Sequence, residues 1–266
     1  MWAPFRRQIE EDAAMAGREV TAGSRLPEAF LRQSNRAGIV LEAEGLHKSF
    51  GGIRAVNGMG LAVADRTLHA LIGPNGAGKT TAFNLLSGLY APDAGSIRLD
   101  GRPIAGLSPE DITRAGIGRS FQITNLFSGL TVEENIRLAV QASSPQRFAV
   151  WTAAASLQAV NADTTQLMVY LGLKGTERAE AGALSYGGQR LLDMGLALAT
   201  GPRLLLLDEP LAGLAAAERT RIAALVKAIS ADIPVLFVEH DIDRVFQIAD
   251  RVTVMHDGAM LADGTA

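Results

Sequence analysis

At 266 residues, 48% of them hydrophobic and 20% charged, the chain is long enough to bury a large core and has ordinary globular composition. A formal net charge of −3 with no basic run argues against nucleic acid as a partner, and zero cysteines exclude disulfides and thiolate metal sites. No apolar run approaches the roughly 18 to 20 residues of a membrane-spanning helix, and Met1 to Arg7 lead straight into Glu10, Glu11 and Asp12 without the apolar centre of an export signal.

Residues 1 to about 38 are polar, mixed in charge and weakly periodic. They read as a flexible N-terminal extension, with an interfacial or partner-binding helix through Trp2, Phe5, Ile9 and Met15 as the alternative. From Ile39 the pattern changes: Ile39 to Leu46 and Leu61 to Ala64 read as short strands separated by Gly51-Gly52 and Asn57-Gly58 turns, which predicts an antiparallel sheet. Thr67 to Ile72 is apolar and turn-bounded, as a buried strand should be, and a helical period runs through Ala82, Phe83, Leu85, Leu86 and Leu89.

Between that strand and that helix stands Gly73-Pro74-Asn75-Gly76-Ala77-Gly78-Lys79-Thr80-Thr81, which fits G-x-x-x-x-G-K-[ST] in the context the pattern requires. Its glycines let backbone N–H groups turn inward around phosphate oxygens, and the helix start behind them adds orphan donors and a favourable dipole. Lys79 is placed to reach β- and γ-phosphates, the Thr80 hydroxyl to ligate Mg²⁺, and Thr81 to help hold the α-phosphate.

Further along, Ala91 to Gly95 is a turn, Ser96 to Leu99 a strand, and Ser108 an N-cap for a helix ending near Ala115. Residues from about 125 to 183 look mainly helical and form a candidate inserted subdomain; Thr131 and Glu134 make a capping-box pattern before Val132 to Gln141, and Gln166 to Leu171 is a second apolar helix. Helices at Gly188 to Ala199, Ala216 to Ile229 and Ile242 to Ile248 then alternate with strands at Arg203 to Asp208, Pro234 to Glu239 and Arg251 to His256. That alternation argues for a parallel sheet with helices on its faces. Leu204 to Leu207 end in Asp208 and Glu209, as a buried central strand delivering acids to its C-terminal edge should. Asp208 is suited to coordinate Mg²⁺, and Glu209, aimed differently, to polarise the attacking water as general base.

The ordered set resembles the ATP-binding subunit of an ABC transporter, over about residues 39 to 264. Leu184-Ser185-Tyr186-Gly187-Gly188-Gln189 is similar to that family's signature, and its Gly187 and Gly188, with the Ser185 hydroxyl, open a second helix start suited to an anion. The resemblance implies an α/β fold: a P-loop NTPase core of mainly parallel sheet flanked by helices, with an antiparallel β subdomain and an inserted helical subdomain. It divides the chain into an extension, 1–38, and an ATP-binding domain, 39–266. It also implies that Gln122 links Mg²⁺ and water to a membrane partner, that His240 contacts the γ-phosphate, and that Phe50 stacks on adenine.

In the arrangement implied by the resemblance, two subunits face head to tail. Each ATP lies between Lys79, Thr80, Gln122, Asp208, Glu209 and His240 of one and Ser185 and Gly187 of the other. Transmembrane permease subunits, contacted through the helical segment, would hold the chain on the cytoplasmic face of the membrane, with a substrate-binding protein acting indirectly. Lys48 to Ile53, Phe83 to Gly88, Gly118 to Gln122, Leu126-Phe127, Leu130 to Asn135 and Tyr186 are together similar to phrases of branched-chain amino acid importers and their urea or amide relatives. An exporter ATPase of lipid or lipopolysaccharide type, or a non-transport or regulatory nucleotide-binding subunit, are the alternatives. The interval from Lys79 to Leu184 is too short for the coiled-coil arms of DNA-repair relatives. Two departures stand out: Ala215 replaces a usual Asn or Asp, and relatives generally carry a further short segment beyond the position of Ala266.

Overall fold

Side-chain alternation sets the layers of this computed structural model, which describes residues 25–32, 38–120, 126–145, 147 and 156–266. All five residues of β3 (Leu68–Ile72) and of β7 (Leu204–Asp208) are buried. Leu205 and Leu207 enter one core cluster, whereas Leu204 and Leu206 enter another on the opposite face. In β8 (Val235–Val238), Val235 and Phe237 divide from Leu236 and Val238 in the same way. A strand covered on both sides needs a continuous apolar run, and each buried leucine contributes about 2 kcal/mol.

The six-stranded sheet has the order β10 (Ala259–Thr265), β9 (Arg251–His256), β3, β8, β7, β6 (Ile117–Ser120). Its neighbours are parallel except for the β9–β10 pair, so the loops after β3, β7 and β8 leave from one edge. The apolar sides of α3 (Val132–Ser143), α4 (Gln158–Tyr170), α5 (Tyr186–Ala199) and α6 (Ala216–Ser230) share the cluster of Leu205 and Phe237, and Val245 of α7 (Ile242–Ile248) joins them. The other cluster takes in α1 (Lys79–Leu86), Ile112 of α2 (Pro109–Ala115) and an antiparallel sheet. That second sheet is ordered β2 (Ile53–Ala64), β1 (Ile39–Phe50), β4 (Ala94–Leu99), β5 (Arg102–Pro103).

Just before β7, buried Arg203 joins the two sheets, pairing with Asp65 after β2 at 2.7 Å and with Asp100 after β4 at 3.1 Å. Expected caps are formed: Ser108 accepts from the Asp111 N–H at the start of α2, and Thr131 and Glu134 complete the capping box of α3.

Three expectations are corrected. The first two strands form a single long hairpin, and Asn57-Gly58 lies inside β2 rather than in a turn. Gly45 at φ +56° and Gly58 at φ +72° absorb a register shift between Ala43 and His47, and the Asn57 N–H donates to the Gly258 carbonyl at 2.8 Å. Strands β5, β6 and β10 were not expected, since Ile117-Gly118-Arg119-Ser120 has too little apolar content to announce a strand. Residues 25–32, part of the stretch expected to be flexible, are docked on the core. Leu26 and Phe30 are 1% and 2% exposed, the Leu26 N–H donates to Asp232 Oδ2 at 2.7 Å, and Arg32 donates to the Arg114 carbonyl at 2.9 Å. Two large apolar side chains four positions apart, Leu26 just before a short 3₁₀ turn (Glu28–Phe30) and Phe30 at its end, supply the burial. The helix considered through Trp2, Phe5, Ile9 and Met15 lies outside the described residues.

Candidate functional site

The site begins at the C-terminal end of β3, where the chain must turn sharply while pressed between two neighbours. A Cβ on Gly73 would sit 2.2 Å from the Met255 carbonyl oxygen, and one on Gly78 would sit 2.3 Å from that of Ala55. Gly78, at φ +97°, is also the N-cap of α1 and offers no side-chain cap to the first turn. The N–H groups of that turn are therefore available to an anion, with the helix dipole behind them. Pro74, Asn75, Gly76 and Thr80 are exposed along the loop, Ala77 is buried, and Thr81 is half-buried.

Lys79 is buried beneath this loop. Its ammonium donates to the carbonyls of Gly73 at 2.7 Å and Pro74 at 3.0 Å. Desolvation pulls its pKa below the ordinary lysine value, while the charges of Glu209 and Asp208 pull the other way, so the lysine and both acids share one field.

Those acids arrive at the C-terminal end of β7, as expected. Asp208 is 6% exposed, and burial raises its pKa in spite of the Arg119 guanidinium 3.4 Å away. Arg119, on β6, also donates to Asn84 Oδ1 at 2.8 Å and to Ser87 Oγ, which ties the acid to the end of α1. Glu209 takes φ +48°, a left-handed conformation that a residue with a side chain adopts only when its surroundings enforce it. Here its N–H donates to the Val238 carbonyl at 3.0 Å, and its own carbonyl accepts from Ala212 N–H and Arg190 Nη2, both at 3.2 Å.

His240, just past β8, brings Nε2 within 2.8 Å of Glu209 Oε1. Behind it, Glu239 is 5% exposed; its Oε1 accepts from the Leu211 N–H at 2.8 Å and its Oε2 from the His240 N–H at 3.3 Å. Burial pushes this carboxyl above the usual range. Glu239 thus fastens the loop after β7 to the loop after β8 and sets the positions of Glu209 and His240. Sequence reasoning missed it, although Val235 to Val238 ending in an acid repeats the β7 pattern.

The second helix start is built differently. Ser185 is the N-cap of α5; its hydroxyl accepts from the Gly188 N–H at 3.2 Å and donates to Glu218 Oε1 at 3.1 Å. Gly187 lies against the same carboxylate, where a Cβ would come within 2.3 Å of Oε1. The other Glu218 oxygen accepts from the Ala215 N–H at 3.4 Å, so at α6 the glutamate half of a capping box stands without a hydroxyl at Ala215. Phe50 ends β1 at the tip of the hairpin whose Ala55 touches the phosphate loop. It is 42% exposed and stands edge-on to Tyr90 with centroids 5.2 Å apart. Gln122 lies outside the described residues.

Lys79, Asp208, Glu209 and His240 therefore meet at one edge of the parallel sheet, while Ser185, Gly187 and Gly188 form a separate start on α5. Among the described residues no helix is long and apolar enough to cross a membrane, and no cluster of three or more His, Asp or Glu is arranged to hold a metal ion alone.

Comparisons with known proteins converge. Residues 56–212 match the family model described as ABC transporter. The chain is 40% identical over 235 residues to the high-affinity branched-chain amino acid transport ATP-binding protein BraF of Pseudomonas aeruginosa, covering 85% of this chain and 91% of that one. It is 36% identical to the corresponding LivG protein of Escherichia coli K12, with the same coverage. The ADP conformation of MJ1267, an ATP-binding cassette of an ABC transporter, superposes with a TM-score of 0.75 at 27% identity, over 86% of this chain and 91% of that chain.

Proposed function

The chain belongs to the ABC transporter family, and from that premise we propose that it is the ATP-hydrolysing subunit of an importer for branched-chain amino acids. The observation that carries the chemistry is the convergence of Lys79, Asp208 and the Glu209–His240 pair, with 2.8 Å between Nε2 and Oε1, at the mouth of an uncapped helix start. The resemblance to BraF over 91% of its length supports the substrate class.

In this reading ATP is the substrate. Gly73 to Thr81 cradle its phosphates, Lys79 turns from the loop carbonyls to the β- and γ-phosphates, and Phe50 stacks on adenine. Glu209 accepts the proton of the attacking water, and His240, bonded to it, orients the γ-phosphate end of the site. The donor set suits Mg²⁺: one hydroxyl, Thr80, and one carboxylate, Asp208, leave the remaining positions to phosphate oxygens and water, with Gln122 as a further oxygen ligand. When bound there, that ion would neutralise charge developing between the β- and γ-phosphates. Raising the Asp208 pKa by burial is a cost that a cation would remove.

The trans half of each site comes from a second ATPase subunit, head to tail, through Ser185, Gly187 and Gly188. Permease subunits anchor the pair to the cytoplasmic face of the membrane, with the helical segment 125–183 as their contact and a substrate-binding protein supplying cargo.

Glu209→Gln tests the assignment. It is expected to keep ATP binding, slow turnover by roughly a thousandfold, and accumulate an ATP-dependent dimer in size-exclusion chromatography. Near-normal hydrolysis would remove Glu209 as the base. Uptake of labelled leucine by proteoliposomes holding the co-purified permease tests the cargo, with a sugar as the competing substrate.

A further inference from the structure

Among the described residues, the largest fully buried side chain is a cation, Arg190, 1% exposed on α5. Burying a guanidinium is costly unless its donors and charge are answered, so its surroundings show what holds it there. On one side Nη2 donates to the carbonyl of Glu209 at 3.2 Å. On the other, the guanidinium carbon lies 5.6 Å from the centroid of Tyr186, one helical turn earlier. Tyr186 is 44% exposed, its ring held from beneath by Arg190 and from the side by Gly213, where a Cβ would meet Cε1 at 3.2 Å. The positive charge of Arg190 also reaches Asp208, whose carboxyl it favours in the ionised form.

Arg190 therefore touches two features that the proposed head-to-tail assembly assigns to different ATP molecules. Tyr186 sits in the signature start, which faces the ATP bound by the other subunit. Glu209 serves the ATP bound by its own subunit. Its strained φ of +48° makes its position depend on the partners of its backbone, and Arg190 is one of them.

We propose that Arg190 is a positioning residue that relays the state of the Tyr186 face to Glu209, so that closure on one ATP sets the general base at the other. This rests on the ATPase reading above. Displacement of the exposed ring by a closing partner removes the cation–π contact on one side of the guanidinium, which then shifts against the Glu209 carbonyl. Arg190 acts through Glu209 and touches no substrate.

A double-mutant cycle in turnover tests it, using the full chain purified with its permease and second ATPase subunit. Tyr186→Ala and Arg190→Lys are each expected to lower kcat roughly tenfold, the worth of one charge-assisted hydrogen bond. KM for ATP should stay within about twofold, since Lys79 and the loop are untouched. If the two act as one relay, the double variant also loses roughly tenfold, not a hundredfold. Tyr186→Phe, which keeps the ring, should retain wild-type kcat. Additive losses, or a wild-type kcat in Tyr186→Ala, overturn the relay. Thermal unfolding guards against loss of fold at buried Arg190, and the exposed Tyr186 variant decides the matter if Arg190→Lys is unstable. A wild-type complex that binds and hydrolyses no ATP instead refutes the ATPase reading itself, and the relay with it.

Discussion

Helices α1 and α5 both begin where a glycine-rich turn meets an N-terminus, yet their first turns are completed in opposite ways. The start of α1 has a left-handed glycine, Gly78, and no side-chain cap. The start of α5 has Ser185, whose hydroxyl already caps Gly188 and already donates to the carboxylate of Glu218. An uncapped start keeps its donors for a ligand, whereas a capped start with a carboxylate of its own has spent them locally. The phosphate loop is thus finished as a receptor before any partner arrives. Ser185 must give up Glu218 before its hydroxyl can serve an incoming anion, which makes the α5 start conditional where the α1 start is not.

The strongest way to break this contrast is Lys79→Ala. If the α1 start is the primary receptor, the variant loses ATP affinity by roughly a thousandfold, about 4 kcal/mol for two charge-assisted bonds to phosphate. Titration with a fluorescent ATP analogue reads this, and unchanged binding would shift the primary role elsewhere.

A smaller effect concerns the strand that leads into the α1 start. His69, near the start of β3, is fully buried, with Nε2 2.8 Å from Thr253 Oγ1, and burial pushes its pKa down from 6.5 to about 4. The unfolded chain takes up this proton near pH 6.5, and the native protein resists it until about pH 4. In that window the unfolded state binds more protons, so the stability is full above about pH 6.5 and falls with pH towards 4, by up to about 3 kcal/mol. Chemical denaturation at both ends of the window should show a steeper loss in the wild type than in His69→Gln. Equal losses would mean that His69 does not carry the dependence.

Ser185→Ala gives the smallest change, about 1 kcal/mol of stability for a lost N-cap. Calorimetry should detect it as a small drop in melting temperature. A lower kcat with an unaltered melting temperature would instead mean that the cap contributes nothing in solution.

What could be read beforehand follows from the range over which each signal acts. The phosphate loop, the Leu204 to Glu209 run and the capping box of α3 are local patterns, and strand–loop–helix context sufficed to place them. Arg119, Arg190 and Glu239 were not recognised as parts of the site, because their partners lie on other strands and helices: Asp208, the Glu209 carbonyl and the Leu211 N–H. Only the fold brings these together. Asn57-Gly58 was misread because the same dipeptide serves a tight turn or a bulge, and the choice was made by the Gly258 carbonyl far along the chain. Leu26 and Phe30 were too few and too isolated to show a period, and their burial depends on a surface assembled from distant segments.

Arg203 has a mechanical consequence. It clamps the ends of β2 and β4 to the foot of β7, while at the other end of the same hairpin Asn57 is bonded to the β9–β10 turn. Pinned at two separated points, the antiparallel sheet cannot swing against the parallel one without separating the buried Arg203 guanidinium from its half-buried acid partners. The two sheets therefore form a fixed chassis. A load applied to the hairpin is shared by both sheets rather than taken up at the seam between them.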